Sequence, residues 1–334
     1  MSENTISGLL KSRVKEYGTK LLYQRRDGWS WKQITWLDFD RKVKNIASFL
    51  MDLGLGPGGR VIVASSNRLE AISAEIAVML VGGVVVPLGL NAAPEAVTAA
   101  ANETGAKFIF IEQGESFDCV LNSIGLLPGV ERIIVFPDAH IKNEKVLDFK
   151  AVLKFGLMKR KKLEDELVKV SGGVEPDSLA AVFIGAGGAA SEFTQRGILD
   201  ALRTISGKYH QLGAEDQSFS YMTTASPFSK FINYLTLYRA SRAAVADSRK
   251  DFYMDVVEVM PTLLYETGPD LEVISRDLIA GKNGVSPAKK LRLDLGNRVG
   301  HIFVDRLPGE RIDRLFREAG VTLHEIEELS GPAD

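Results

Sequence analysis

Hydrophobic residues in the first part of the chain form short continuous runs that alternate with longer segments of helical periodicity. From Trp36 to Leu53, apolar positions recur every three or four residues after Thr35, with an acid at Asp38, which predicts a capped helix that ends at Gly54. Further runs predict strands at 60–64, 84–88, 107–111 and 131–136, with helices at 67–81, 94–103 and 117–126. This alternation is typical of parallel strands joined by helical crossovers.

The same alternation restarts after Val174. It predicts strands at 179–184, 219–223, 243–246, 262–265, 301–304 and 321–326, and helices at 198–212, 228–238, 251–260 and 270–280, with another helix after Pro308. We therefore predict an α/β fold built from two similar blocks. The expected boundaries are 1–140 for the first α/β subdomain, 141–174 for a charged linker helix, and 175–334 for the second subdomain.

The linker predicted between the blocks is strongly charged. Four consecutive cations at 159–162 precede three acids at 164–166. One interpretation is a basic helix on a membrane surface, with these apolar residues turned inward: Leu157, Leu163, Leu167 and Val170. We favour a solvated linker helix, because acids adjoin the cations and the apolar face is short.

Charge balance and cysteine content exclude several classes of protein. The 334 residues include 41 Lys and Arg against 43 Asp and Glu, and this net charge of −2 argues against nucleic acid as a partner. Cys119 stands alone and no Cys/His set has zinc spacing, so we expect no metal site. The longest apolar run, 76–90, is too short to span a bilayer. With no leader-like N-terminus, we expect a cytoplasmic protein.

A glycine-rich segment after the predicted strand 179–184 is a candidate phosphate-binding loop. It reads Gly185-Ala186-Gly187-Gly188-Ala189-Ala190 and precedes a predicted helix. Glycines there allow backbone N–H groups to approach a phosphate. The segment also fits a dinucleotide fingerprint that ends in alanine, but no strand ending in an acid follows about 20 residues later. An unrelated dinucleotide-binding enzyme is therefore an alternative, whereas a Walker loop is excluded.

Several motifs together resemble the AMP-forming acyl-CoA synthetases of the adenylate-forming superfamily. The glycine-rich segment and Thr194-Gln195-Arg196-Gly197 are similar to the family's phosphate loop, and 174–180 resembles the segment that leads into it. Ser226-Pro227-Phe228-Ser229-Lys230 resembles the Pro-Leu-x-His motif, with Lys230 at the histidine position. Residues 258–269 resemble the stretch that borders the acyl pocket. The resemblance covers most of the chain.

The resemblance implies two Rossmann-like subdomains, as in the N-terminal domain of adenylate-forming enzymes, with the mobile C-terminal domain absent. It also implies two groups of site residues. The candidate cofactor-binding residues are Gly185, Gly187, Gly188, Arg196 and Gly197. The candidate substrate-binding residues are Pro227, Lys230, Tyr265 and Gly268. Lys230 is a candidate partner for a carboxylate, although a solvated lysine is the interpretation we favour.

Departures from the family pattern predict a non-catalytic protein. Positions 185–190 carry no hydroxyl, and Arg196 stands near the position of the family's lysine. The sequence ends where the family has a Ser-Gly-Gly-Ala-Pro turn, so the later acids and the adenylation lysine have no counterpart here. Because nucleotidyl transfer depends on positioning and charge neutralisation, we expect no catalytic residues. We expect no cofactor, and ATP or AMP with magnesium only if the family activity survives.

The function implied is that of a degenerate acyl-CoA synthetase homologue with a ligand-binding, regulatory or scaffolding role in fatty-acid metabolism. The expected partners are a fatty acid or another acyl ligand, and a second copy or a full-length ligase, because an exposed sheet edge favours association. The alternative is half of a split ATP-dependent ligase completed by another chain.

The remaining candidates for chemistry are interpreted as structural. The four histidines are scattered along the sequence and are expected to have structural or surface roles: His140, His210, His301 and His324. The aromatic residues between Phe228 and Tyr238 fall three and four apart, which predicts a buried helix face that is also a candidate border of an acyl tunnel.

Overall fold

The computed structural model describes residues 3–90, 92–185, 189–209, 213–221, 226–246, 250–279 and 286–327. The elements up to residue 172 are α1 (Ile6–Tyr17), β1 (Leu21–Asp27), β2 (Ser30–Thr35), α2 (Trp36–Asp52), β3 (Arg60–Ala64), α3 (Leu69–Leu80), β4 (Val84–Leu88), α4 (Ala96–Thr104), β5 (Phe108–Glu112), α5 (Glu115–Asn122), β6 (Arg132–Phe136), β7 (Val146–Asp148) and α6 (Phe149–Gly172).

The elements after residue 172 are β8 (Leu179–Ile184), β9 (Ala190–Thr194), α7 (Gln195–Lys208), β10 (Gln217–Ser220), α8 (Pro227–Arg239), β11 (Arg242–Val245), α9 (Phe252–Val259), β12 (Leu263–Glu266), α10 (Gly268–Ile279), α11 (Pro287–Asp294), β13 (His301–Val304), α12 (Glu310–Glu318) and β14 (Thr322–Glu325). The predicted α/β fold is confirmed. The ends of the predicted helix 198–212 and the predicted strand 219–223 lie outside the described residues.

Helix α2 begins where the sequence predicts a capped start. The Thr35 hydroxyl oxygen accepts a hydrogen bond from the Asp38 amide at 3.1 Å, and the Asp38 carboxylate accepts one from the Thr35 amide at 3.2 Å. These reciprocal bonds form a capping box and satisfy donors that the helix itself leaves unpaired.

One sheet has the strand order β7-β6-β5-β3-β4-β8-β9. Its strand pairs are parallel except for β8 and β9, which are antiparallel. Helices α4 and α5 cover one face, where Val97, Ala101 and Phe117 pack with Ile62 and Ile109. Burial on both faces explains why these strands read as continuous apolar runs.

The other sheet has the order β14-β13-β12-β10-β11-β1-β2. Strands β10 to β14 pair in parallel, and β1 pairs in parallel with β11. On one face, Phe219, Leu264 and Ile302 pack with Phe252 of α9 and Phe316 of α12. The carboxyl ends of its parallel strands therefore share one edge.

Two compact units follow the sheets rather than the order of the sequence. The first contains residues 1–20, 34–200 and 223–226, and the second contains 21–33, 201–222 and 227–334. Strands β8 and β9 thus belong to the first sheet, and β1 belongs to the second. The predicted boundaries 1–140, 141–174 and 175–334 concern folding domains and stay a prediction.

Helix α6 occupies most of the predicted linker and packs on α2 along one narrow face. Its Gly156 lies against the backbone of α2 so closely that a Cβ there would be 1.8 Å from the carbonyl oxygen of Asn45. Val152 and Leu167 are buried on the same face, whereas Leu157 is exposed. Only a narrow face of this charged helix is buried, and Leu157 does not turn inward as the membrane-surface interpretation requires. Among the described residues, no helix is long and apolar enough to cross a membrane.

Candidate functional site

The described ends of the glycine-rich segment, Gly185 and Ala190, connect two antiparallel strands rather than a strand and a helix. The Gly185 amide donates to the Ala189 carbonyl oxygen at 2.7 Å, and Ile184 pairs with Ala190 across the antiparallel strands. The backbone N–H of Gly185 is thus used within the turn. The candidates Gly187 and Gly188 lie outside the described residues.

Arg196 and Gly197 lie at the opposite end of this hairpin. The register pairs Leu179 with Thr194, so five residues of strand separate them from the turn, a distance on the order of 15 Å. The Arg196 guanidinium pairs with the Asp177 carboxylate, with Nε to Oδ1 at 2.9 Å. The structure does not bring Arg196 beside the turn, because β9 intervenes. Nucleotide binding by these residues stays a prediction.

Thr194 and Gln195 anchor this end of the hairpin. The Thr194 hydroxyl oxygen accepts from the Gly197 amide at 3.0 Å, in the manner of a helix N-cap. The buried Gln195 side chain accepts from the Ile6 amide at 3.0 Å and donates to the Met79 carbonyl oxygen at 3.4 Å. Gln195 therefore joins three parts of the first unit, a structural role that the sequence pattern did not indicate.

The candidates Pro227 and Lys230 lie on the first turn of α8. Pro227 opens the helix, where its missing N–H costs nothing. Lys230 is only 2% exposed, so the interpretation of a solvated lysine is wrong. The predicted aromatic face is confirmed for Phe228, Phe231 and Tyr234, which are buried. Burial extends to the remaining sides of most of α8, which is why Lys230 is enclosed as well.

Tyr265 and Gly268 lie at the carboxyl end of β12 and the start of α10. Tyr265 is buried with its ring 5.7 Å from that of Phe303, and burial, aided by Asp216, raises the pKa of its phenol. The phenol is therefore neutral at physiological pH. The Gly268 amide donates to Asp305 Oδ1 at 2.8 Å, which fixes the start of α10 beside β13. Substrate binding by these residues stays a prediction.

Glu266 is a buried carboxylate that is not among the site residues predicted from the sequence. It ends β12 within the segment that resembles the acyl-pocket border, and it is fully buried. The Tyr221 hydroxyl donates to Glu266 Oε2 at 2.7 Å, and the Tyr221 ring packs 4.9 Å from Phe252. An acid directly after three apolar strand residues was the available signal. A buried carboxylate can accept hydrogen bonds or bind a cation.

The structure brings together two histidines that the sequence left scattered. Nδ1 of His301 lies 3.0 Å from Nε2 of His324, and the His324 ring stacks on Phe303 at 4.8 Å. Burial, together with the neighbouring imidazole of His301, lowers the pKa of His324. The pairing follows from register, because His301 lies opposite Thr322 and His324 is two residues further on the same face of the sheet.

Comparison with known proteins extends these observations. A model of AMP-binding enzymes matches residues 11–274, a range that includes the hairpin and α8. The chain belongs to the AMP-binding enzyme family. The alternative of an unrelated dinucleotide-binding enzyme is therefore wrong, because the glycine-rich turn lies within the matched range.

Individual relatives are distant and longer than this chain. A long-chain-fatty-acid–CoA ligase, FadD15 of Mycobacterium bovis, is 25% identical over 114 residues, which cover 34% of this chain and 19% of the ligase. A putative long-chain-fatty-acid CoA ligase from Rhodopseudomonas palustris has a similar fold, with a TM-score of 0.74 at 15% identity over 96% of this chain and 74% of that one.

A third relative is the A domain of a carboxylic acid reductase from Segniliparus rugosus, solved with AMP and a co-purified carboxylic acid. It has a TM-score of 0.73 at 15% identity and covers 96% of this chain and 59% of that one. These similarities confirm the predicted fold, that of the N-terminal domain of adenylate-forming enzymes. The chain spans less than two thirds of this reductase domain and of FadD15.

Proposed function

We propose that this AMP-binding family member binds a fatty acid or another acyl ligand in the cytoplasm without forming an acyl-adenylate. Its role is to regulate or scaffold acyl metabolism, alone as a dimer or with a full-length ligase. The observation that carries the proposal is the hairpin at Gly185. Its turn sequence has no hydroxyl, the Gly185 amide bonds within the turn, and the guanidinium of Arg196 pairs with Asp177 at the other end.

The energetic consequence for a nucleotide is large. Hydrogen bonds to a charged group contribute about 1.5–3 kcal/mol each. Loss of two such donors therefore weakens phosphate binding by at least about 3 kcal/mol, or more than a hundredfold. Transfer to a carboxylate would suffer as well, because this reaction depends on neutralising charge as it develops.

The second unit supports the acyl part of the proposal. Helix α8 encloses Lys230 among aromatic side chains, and β12 carries the neutral phenol of Tyr265. The positive charge of Lys230 in this enclosed position favours a fatty-acid carboxylate nearby, since opposite charges offset the cost of burying each other. Relatives in the family act on, or were solved with, carboxylic acids.

Calorimetric titration of the full chain tests this proposal. We expect heat of binding with a long-chain fatty acid and none with ATP and magnesium. Lys230→Met should weaken fatty-acid binding, whereas the exposed Lys289→Met, a matched change in the same unit, should not.

Two results would count against the proposal. Tight binding of ATP with release of pyrophosphate would show a working ligase. Binding of ATP only after a second polypeptide is added would favour the split-ligase alternative.

A further inference from the structure

Helix α6 exposes large apolar side chains beside and opposite its buried face. Phe155 is 44% exposed, Leu157 53% and Met158 67%. The buried residues Val152 and Gly156 point towards α2, so these three side chains extend away from the core. Three exposed apolar side chains within four residues of one helix indicate a contact that the first unit does not itself supply.

Cations surround these apolar side chains. Lys154, Lys161 and Lys162 are exposed on the same face and form no ion pair with any residue that the structure describes. From Lys150 to Lys162 the helix carries six cations and no acid. The field at this surface is therefore locally positive although the whole chain has a net charge of −2.

The other cations of this stretch are already used on the protein side. Lys159 Nζ lies 2.9 Å from an oxygen of Asp52, and Arg160 donates to the Asn45 side chain at 3.3 Å. Lys150 pairs with Asp138 at 3.0 Å. The outward lysines are thus distinct from those that hold α6 in place, and they remain available for an external anion.

We propose that the outer face of α6, formed by Lys154, Phe155, Leu157, Met158, Lys161 and Lys162, binds the surface of an anionic lipid bilayer. Apolar side chains would enter the boundary between headgroups and acyl chains, while lysines contact the anionic headgroups. Lysine stems can lie along apolar surface with the ammonium in the headgroup layer. The binding is peripheral, since no described helix is able to cross a membrane.

Charge complementarity favours lipid over a second copy of the chain. A symmetric dimer confined to these six residues would set lysines of one copy against lysines of the other, because the set contains no acid, and this is unfavourable. The membrane-surface helix suggested by the sequence had Leu157 turned inward. In the structure Leu157 is exposed, so in this proposal it enters the bilayer. Lipid binding by α6 also goes beyond the proposed acyl binding, on which it does not depend.

Vesicle flotation with the full chain tests this proposal. The probes are vesicles of phosphatidylcholine alone and of phosphatidylcholine mixed with phosphatidylglycerol. We expect binding to the mixed vesicles only, and a decrease in binding as salt is added. The double variant Lys161→Gln, Lys162→Gln should weaken partitioning about thirtyfold, since each lysine near an anionic surface contributes on the order of 1 kcal/mol. Phe155→Ser with Met158→Ser should also weaken it.

The matched control lies in the other unit. Lys289→Gln with Leu293→Ser changes an exposed lysine and an exposed apolar residue of α11, and it should leave binding unchanged. Far-ultraviolet circular dichroism establishes that each variant is folded. Equal binding to both vesicle types, loss in the control, or no vesicle binding at all would overturn the proposal. A change of oligomeric state in the lysine variants without vesicle binding would point to a protein partner instead.

Discussion

Five strands of each sheet, β7-β6-β5-β3-β4 and β14-β13-β12-β10-β11, follow the same chain order, and each sheet places a glutamate at the same point. Reading both orders from the β7 or β14 edge, β5 of the first sheet corresponds to β12 of the second. Glu112 is the last residue of β5 and Glu266 the last residue of β12. Because carboxyl ends of parallel strands meet at one edge, each glutamate faces the residues that follow the neighbouring strand, β3 or β10.

The partners of the two glutamates differ. Glu112 Oε1 accepts from Arg68 at 2.8 Å, and Oε2 accepts from the Ser66 amide at 2.9 Å and from the hydroxyls of Ser66 and Ser65 at 2.7 and 3.1 Å. Glu266 accepts from the Tyr221 hydroxyl and lies in the segment that resembles the acyl-pocket border. The topology therefore fixes the position of each carboxylate, whereas the residues after the adjacent strand determine its environment.

The largest expected effect comes from removing the cation of the first sheet. Arg68→Met leaves the carboxylate of Glu112 without its ion pair, and we expect a loss of about 3 kcal/mol in the free energy of unfolding. Urea denaturation measures it. Adding Glu112→Gln should restore part of the loss, because the neutral amide no longer needs a cation. A single variant as stable as the wild type would show that the pair contributes nothing.

A smaller effect is expected in the second sheet. Tyr221→Phe removes the hydroxyl that donates to Glu266 and should cost about 2 kcal/mol, since a hydrogen bond to a buried charged group is lost. Tyr253→Phe is the matched control, because its hydroxyl reaches the exposed Asp277 only at 3.3 Å. If Tyr221→Phe and Tyr253→Phe lowered the urea midpoint equally, burial would not make the hydrogen bond to Glu266 the stronger of the two.

Ser66→Ala tests how much a single hydroxyl contributes to holding the carboxylate of Glu112. This change removes one of several donors to Glu112 and should destabilise by about 1 kcal/mol, less than Tyr221→Phe. Arg68, Ser65 and the backbone amide remain. If Ser66→Ala instead proved as harmful as Arg68→Met, the hydroxyl and not the ion pair would hold the carboxylate.

The smallest expected effect depends on pH and belongs to the second sheet. The pKa of His324 is lowered by burial and by His301, so the folded state favours the neutral ring. Its contribution to stability is therefore present above the usual histidine pKa of 6.5 and decreases as the pH falls below that value.

Unfolding midpoints measured from pH 7.5 down to pH 5.5 test this dependence. His324→Phe should reduce it. The control Lys289→Met, at an exposed lysine outside this pair, should leave it unchanged. An identical pH dependence in the His324 variant and the wild type would contradict the assignment.

Most of the sheets could be predicted because their signals are local. Continuous apolar runs identify β3, β4, β5 and β6, and the capping residues Thr35 and Asp38 identify the start of α2. Strand β9 could not, because its polar residues Ser191 and Glu192 read as a loop at a sheet edge. The distance between Arg196 and the glycine-rich turn was missed for the same reason.

Other features depend on contacts between segments far apart in sequence. The close approach of α6 to α2 at Gly156 could not be predicted, since a single glycine does not alter the hydrophobic pattern. The His301–His324 pair requires the register of β13 and β14, which periodicity does not give. The burial of Lys230 could not be predicted, because a lysine in a sequence carries no sign of its surroundings.

The central claim is that this chain binds acyl ligands without adenylating them. The most direct test is exchange of labelled pyrophosphate into ATP, measured with magnesium and a panel of fatty and aromatic carboxylic acids. If the chain does not adenylate acids, no acid gives exchange above the background that is measured without protein. Exchange that requires both a carboxylic acid and magnesium, and that is lost in a Gly185→Pro variant, would contradict it.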